Sequence, residues 1–418
     1  MLSSNFTIIH FKKALSTINA LNMLIGYPLV VSIFIPLTGN AVGSSQIVTY
    51  PYRALSLMLA LLIIFINLPI RVKLNNAIRL FMVFWIFVIV RMYYDLAIRS
   101  DVYIPEYYIY NNWLIVFGII IIPLISILVS YRKIDFKLLL KYFFWTGIII
   151  LVISVFTITN ESNLNQRASL NIALDSISFG NTALLFSIVA VYLLSIERRE
   201  ATIWKKTLYL IIFLTGIYIA LLSGSRGPII SFIVVILLWY SLSKKKLIWS
   251  GIIFSTLTLL IILLDNYLIE IIGVFSPLTA FRINQAISGG DLSVINRQDS
   301  YAWFISRIFE DPIFGSQYAR LITGSQPGYA HNIILDILLG FGVVGLSVFT
   351  FIIYKGINFL KFGIIHKYPF WLGLIMLQFL LLSMTSGAYY SNPQLNAAIL
   401  LSLLAYSNES GYFHKNVL

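Results

Sequence analysis

The chain has no cysteine among its 418 residues, and only 11% of them are charged. The first absence excludes disulfides and thiolate metal centres and leaves the redox compartment open. The second excludes an ordinary soluble domain, in which about a quarter of the residues carry charge. Acids are the scarcer sign, 16 against 29 Lys and Arg. A net charge of +13 in so apolar a chain predicts cation-bearing loops on one side of a membrane and no nucleic-acid partner. No dinucleotide fingerprint, phosphate-binding P-loop or internal repeat occurs. A small-residue cleavage site is also missing after the first apolar stretch, which predicts an uncleaved first helix.

What is present is apolar sequence, 59% of the chain. Runs long enough to cross a bilayer recur from end to end, which predicts an all-α polytopic integral membrane protein, one transmembrane domain over 1–418. Twelve spans are expected, near 15–37, 53–69, 77–94, 112–131, 138–158, 178–196, 204–222, 227–243, 247–268, 331–354, 369–387 and 391–407. Alternate connections carry the cations: Lys12–Lys13, Arg71 to Arg79, Arg132 to Lys141, Arg198 to Lys206, Lys244 to Lys246 and Lys355 to Lys367. The positive-inside rule makes that set cytoplasmic, and an even span count puts both termini there. The other set includes an asparagine-rich loop over 160–177 and a long one over 269–330 that contains a short helix ended by Pro312. A connection of that length is usually functional.

Charge type follows the same division. All 15 lysines fall on the cytoplasmic side or at a cytoplasmic helix end. The external half holds only arginines: Arg53, Arg91, Arg99, Arg167, Arg226, Arg282, Arg297, Arg307 and Arg320. Topology does not choose between the two cations, whereas a planar fork that grips an oxyanion through two bonds does. The plainer reading is snorkelling, or pairing with Asp95, Asp101, Glu106 or Asp175, and it suits Arg53, Arg91 and Arg99 best.

One arginine stands in "SGSRGPII", between two spans. Gly224 and Gly227 allow a tight turn, and Pro228 suits the first position of the helix that follows. A helix N-terminus favours an anion, and Arg226 adds a full charge there, with Ser223 and Ser225 as further donors. The alternative is an ordinary glycine turn whose arginine meets lipid headgroups. Arg297 and Arg307 share the helix of the long loop, about 80° apart in azimuth. His331, the one external histidine, then opens a span with Asn332. Such a histidine is either a cap or, kept neutral by nearby cations, a general base. Asp336 stands one turn beyond Asn332 and can pair with it or with loop backbone to steady the turn.

The order "GSRG" before a helix, "R…W…P..G" in one loop and "HN..L…L..FG..G" opening a helix resembles the O-antigen ligase/polymerase superfamily, over about half of the chain. The resemblance implies a bacterial inner-membrane enzyme with its active site and both long loops, 160–177 and 269–330, on the periplasmic face. It implies an undecaprenyl-diphosphate-linked oligosaccharide as donor, a sugar hydroxyl as acceptor, inversion at the anomeric carbon, and no metal ion or other cofactor. By motif position Arg226 and Arg297 would hold the diphosphate, followed by Arg167 and Arg307, and His331 would serve the acceptor. A chain-length regulator and a flippase of the same pathway become candidate partners. The expected site is a groove beneath loops 160–177 and 280–330.

An Asp-x-Asp pair, which metal-dependent glycosyl transfer calls for, does not occur. The first external loop, "PLTGNAVGSSQIVTYPY", holds no acid and so no acidic base. Ligation to lipid A core and repeat-unit polymerisation both remain open, with polymerase favoured because "AHNIILDILLGFG" resembles that branch. A flippase suits the span count, but an alternating-access carrier needs a central site, and the candidate charges here lie on one side.

Overall fold

The computed structural model describes residues 2–38, 44–68, 74–98, 106–157, 175–197, 199–244, 292–318, 330–366 and 370–416, with a few single positions between 273 and 288. Helix dominates the described residues, and no strand occurs among them. The elements used below are α1 (Leu2–Leu21), α2 (Tyr27–Thr38), α3 (Ser44–Ile66), α4 (Asn76–Tyr93), α5 (Glu106–Trp113), α6 (Ile122–Ser130) and α7 (Phe136–Thr157). They continue with α8 (Ser176–Ile196), α9 (Ile203–Leu222), α10 (Arg226–Lys244), α11 (Leu292–Ile308), α12 (Ile333–His366), α13 (Trp371–Ser383) and α14 (Pro393–Asn416).

Nine described helices or helix pairs are long and apolar enough to cross a membrane, and the shorter Trp371–Ser383 and Pro393–Tyr406 segments are apolar too. These account for eleven of the twelve expected spans. The twelfth, 247–268, lies outside the described residues. Large apolar side chains such as Phe65, Phe156 and Trp204 point outward, as they do where lipid is the solvent.

α8 is buried along nearly its whole length and packs most closely on α9. Small residues make the approach possible. A Cβ on Gly216 would lie 2.6 Å from the Ala183 carbonyl oxygen, and one on Gly180 would lie 2.5 Å from Ser223 Oγ. Ser187 Oγ adds a bond across the pair to the Phe213 carbonyl, 3.0 Å. In lipid, where apolar contact alone gives no preference for protein over solvent, such close packing and bonding hold helices together.

Helix ends meet as the cation alternation requires. Lys12 donates to the Ile66 carbonyl, Lys13 pairs with Asp135 at 2.8 Å, and Lys133 bonds to Asn67. At the opposite end Ser225 meets Ser176, and the Tyr318 amide meets Asp95. The described site residues lie on this second side, where no described lysine is found.

Two spans break there. α12 has a non-helical residue at Gly342, with φ 59° and ψ −158°. α13 is only 13 residues long, about 20 Å against a hydrocarbon core of roughly 30 Å. The chain then runs through irregular backbone over 384–392 with Tyr389 and Tyr390 fully enclosed. Ser383, Asn392 and Asn396 tie that segment down: Asn392 Nδ2 donates to Ser383 Oγ (2.9 Å) and Asn396 Nδ2 to the Tyr389 carbonyl (3.0 Å).

Candidate functional site

The break in α12 is filled by the loop that follows α11. Ser316 and Gln317 donate their amides to the Leu339 carbonyl, at 2.9 and 3.2 Å. Val343 and Val344 donate to the Pro312 and Ile313 carbonyls, at 2.9 and 3.3 Å. Backbone groups orphaned by the break are thus satisfied by the loop. The fit is backbone against backbone, which explains the glycines of the "P..G" and "FG" motifs. Gly315 has φ +84°, and a Cβ there would lie 2.5 Å from the backbone of Gly340 and Phe341. A Cβ on Gly342 would lie 2.2 Å from the Ile313 carbonyl oxygen.

The same loop is fixed a second time. Asp95, fully buried at the end of α4, accepts the Tyr318 amide and the Arg91 Nε, the latter at 2.8 Å. Arg91 is therefore the counterion partner of Asp95 that its neighbourhood predicts. The Tyr318 ring packs on Tyr390 with centroids 5.1 Å apart, joining loop to the 384–392 segment.

At the head of α12 the chain turns sharply. His331 has φ 53°, the one positive value at a non-glycine residue among the described residues. A left-handed histidine persists only where its surroundings over-determine it, and such residues gather at functional sites. Here the Asp336 carboxylate, wholly buried, accepts the Ala330 amide at 3.1 Å. Asn332 caps α12 by accepting the amides of Ile334 and Leu335, at 2.9 and 3.3 Å. Of the two pairings open to Asp336 in the sequence, backbone is the one adopted by its carboxylate. His331 is half-buried, and burial, followed by the charge of Arg297, holds its pKa below the usual histidine value. The shift favours the neutral imidazole, the form in which it can accept a proton.

Arg297 is half-buried on α11, which lies against α12. Arg226 heads α10, which also contacts α12. The turn before it differs from expectation in detail. Gly224, with φ +62°, makes the turn, but α10 starts at Arg226, so Pro228 lies within the first turn, where amides lack helical partners anyway. Gly227 is helical, and its use is close approach: a Cβ would lie 2.7 Å from Thr385 Oγ1. Ser223 and Ser225 are buried and bonded inside the protein, to the Ala220 carbonyl and to Ser176 Oγ. They are fastenings of the turn, and do not face a ligand as expected.

Arg307 shares α11 with Arg297 but holds both carboxylate oxygens of Glu310, at 2.8 and 3.0 Å, and lies over the Trp303 ring at 5.6 Å. Arg167 lies outside the described residues, as does most of loop 160–177. The structure therefore sets Arg297 and Arg226 on two helices that both pack against α12, with the Arg297 charge acting on His331, and pairs Arg307 with Glu310. Sequence reading gave Asp95 a counterion role only. Its contact with Tyr318 spans 223 positions, and no local pattern announces it.

Residues 208–350 match the family model described as O-antigen ligase. The matched stretch contains the Arg226 turn, α11, the loop that fills α12, and the His331 turn. No curated protein sequence matches the chain. The domain ties this membrane protein to the processing of lipid-linked glycans. The match over residues 208–350 supports the resemblance of the chain to the O-antigen ligase/polymerase superfamily.

Proposed function

We propose that the chain is a repeat-unit polymerase, which moves a glycan from an undecaprenyl-diphosphate donor to a sugar hydroxyl of a second lipid-linked unit at the periplasmic face. The observation that carries this reading is the left-handed turn at His331, half-buried at the head of α12 within the matched domain, with the Arg297 charge acting on it. The acceptor hydroxyl oxygen attacks the anomeric carbon while the bond from that carbon to the diphosphate oxygen breaks. The electron pair leaves on the diphosphate, and the hydroxyl proton passes to His331. A single displacement inverts the anomeric centre.

Diphosphate is a leaving group that needs charge neutralisation more than protonation. Arg226 and Arg297 supply it electrostatically, and the resemblance adds Arg167 and Arg307 to the same set. Preorganised arginines do here what a divalent cation does in other glycosyl transfers. Polymerase is preferred to ligase because Ala330 to Gly342 resembles the polymerase branch. A chain-length regulator and a flippase are the expected pathway partners.

Deletion of the gene followed by electrophoresis of lipopolysaccharide tests the reading. Single repeats on the core support a polymerase. Bare core assigns the chain to ligation, and lipid-linked repeats accumulating in the cytoplasm would assign it to transport.

A further inference from the structure

On the same side of the membrane helices as His331 lies a cavity of about 490 Å³, and among the described residues none of the matched stretch 208–350 lines it. The size falls within the usual range for small-ligand sites, about 300–1,000 Å³. Its walls are unusual for a membrane interior. Three departures from regular helix border it: the π-helical turns Asn22–Gly26 and Leu114–Ile121, and the irregular 384–392 segment. Irregular backbone at membrane depth is tolerated where it is buried in protein or lines a watery space, and π turns concentrate at functional sites.

The lining chemistry narrows the occupant. Asn22, Asn181 and Gln394 present amides, and Tyr27 and Tyr52 form an angled aromatic wall with centroids 5.6 Å apart and planes at 52°. Amides both donate and accept, as each hydroxyl of a sugar does. A tyrosine offers an apolar face to the C–H side of a sugar ring and a polar tip to its hydroxyls. Charge is balanced among the described lining residues, with Arg53 as the single cation and Asp175 as the single anion. A diphosphate would call for excess positive charge, and an isoprenoid chain for apolar walls.

We infer that this cavity holds a neutral sugar ring of the glycan and selects which glycan is joined, an assignment that rests on the polymerase reading for its role in transfer. Chemistry then resides in the family-matched segment and substrate choice in the surrounding helices. The two are physically connected. Gln378, wholly buried, donates to the cavity residue Asn181 at 2.9 Å and to the Pro228 carbonyl at 3.2 Å, two residues beyond Arg226.

Gly118 gives a direct test, because it lines the cavity and a Cβ there meets nothing nearer than Leu57 Cδ2 at 3.9 Å. Gly118→Leu therefore fills the space without forcing the backbone. The probes are methyl glycosides of neutral hexoses, 6-deoxyhexoses and N-acetylhexosamines, read by saturation-transfer NMR on the full chain in nanodiscs. At least one class should bind wild-type protein and His331→Ala alike, and bind Gly118→Leu at least tenfold more weakly. Gln394→Leu, which removes an amide at similar volume, should weaken the same sugar and serves if the leucine at 118 prevents folding. No binding to wild type, or equal binding to both lining variants, overturns the assignment. Transfer measured in parallel separates the two readings. Sugar binding without any transfer removes the polymerase reading and leaves the cavity assigned.

Discussion

Replacing Gly342 by alanine should release the loop that fills the break in α12. At φ 59° and ψ −158° the position belongs to backbone space that is essentially glycine's alone, and a side chain there costs about 1–3 kcal/mol. The new Cβ would stand 2.2 Å from the Ile313 carbonyl oxygen and 2.6 Å from that of Pro312, so these carbonyls must retreat. Their bonds to Val343 and Val344 are then lost, at about 1 kcal/mol each. The sum is about 3–5 kcal/mol, large for one methyl group. Gly118→Ala, where the nearest atom lies 3.9 Å away, should change stability by less than about 0.5 kcal/mol. Hydrogen exchange of peptides covering 312–318 and 343–345, with thermal unfolding in detergent, reads both variants. Because the loop also carries α11 toward His331, transfer should fall about a hundredfold in Gly342→Ala, the scale set by displacing catalytic groups by about 1 Å. Wild-type exchange at Val343 and Val344 together with undiminished transfer would refute the reasoning.

Three further outcomes are expected. Arg226→Ala and Arg297→Ala should each remove most transfer without loss of protein from the membrane, and lysine at either position should restore little, since a point charge cannot grip two oxygens at once; full activity of both lysine variants would return these residues to headgroup anchoring. Because burial and Arg297 hold the His331 pKa below the usual histidine value of about 6.5, the pH profile of transfer should stay level down through that value and fall only at more acid pH as the imidazole protonates; an acid limb centred above 6.5 would exclude His331 as the base. Reporter fusions after Lys206 should read cytoplasm and fusions at 292–318 periplasm, and a cytoplasmic signal from the latter would invert the scheme.

The spans were legible because runs of apolar residues at bilayer length have few alternatives in water, and charge alternation grouped their ends as the contacts of Lys12, Lys13 and Lys133 do. The break in α12 was not legible. "FGVVG" around Gly342 is apolar enough for hydropathy to read straight through, while the backbone bonds that permit the break come from a loop elsewhere in the sequence. The π-helical turns carry no compositional mark at all. At the site, His331 and Arg297 could be chosen by residue type and order. The buried carboxylates Asp95 and Asp336 act through loop amides, a use that charge pairing does not suggest. Ser223 and Ser225 show the reverse case, since a hydroxyl in a tight buried turn satisfies itself locally before it can serve a ligand.

The central claim is that His331 takes the acceptor proton while the arginines hold the donor. Purified protein in nanodiscs, with lipid-linked repeat as both donor and acceptor, tests it through His331→Ala. Transfer should fall by about 10²–10⁴-fold, the usual worth of a positioned base, while donor affinity stays within about twofold of wild type. Unchanged turnover would leave His331 as a turn residue, and loss of donor affinity would move it to the diphosphate site; either result contradicts the account.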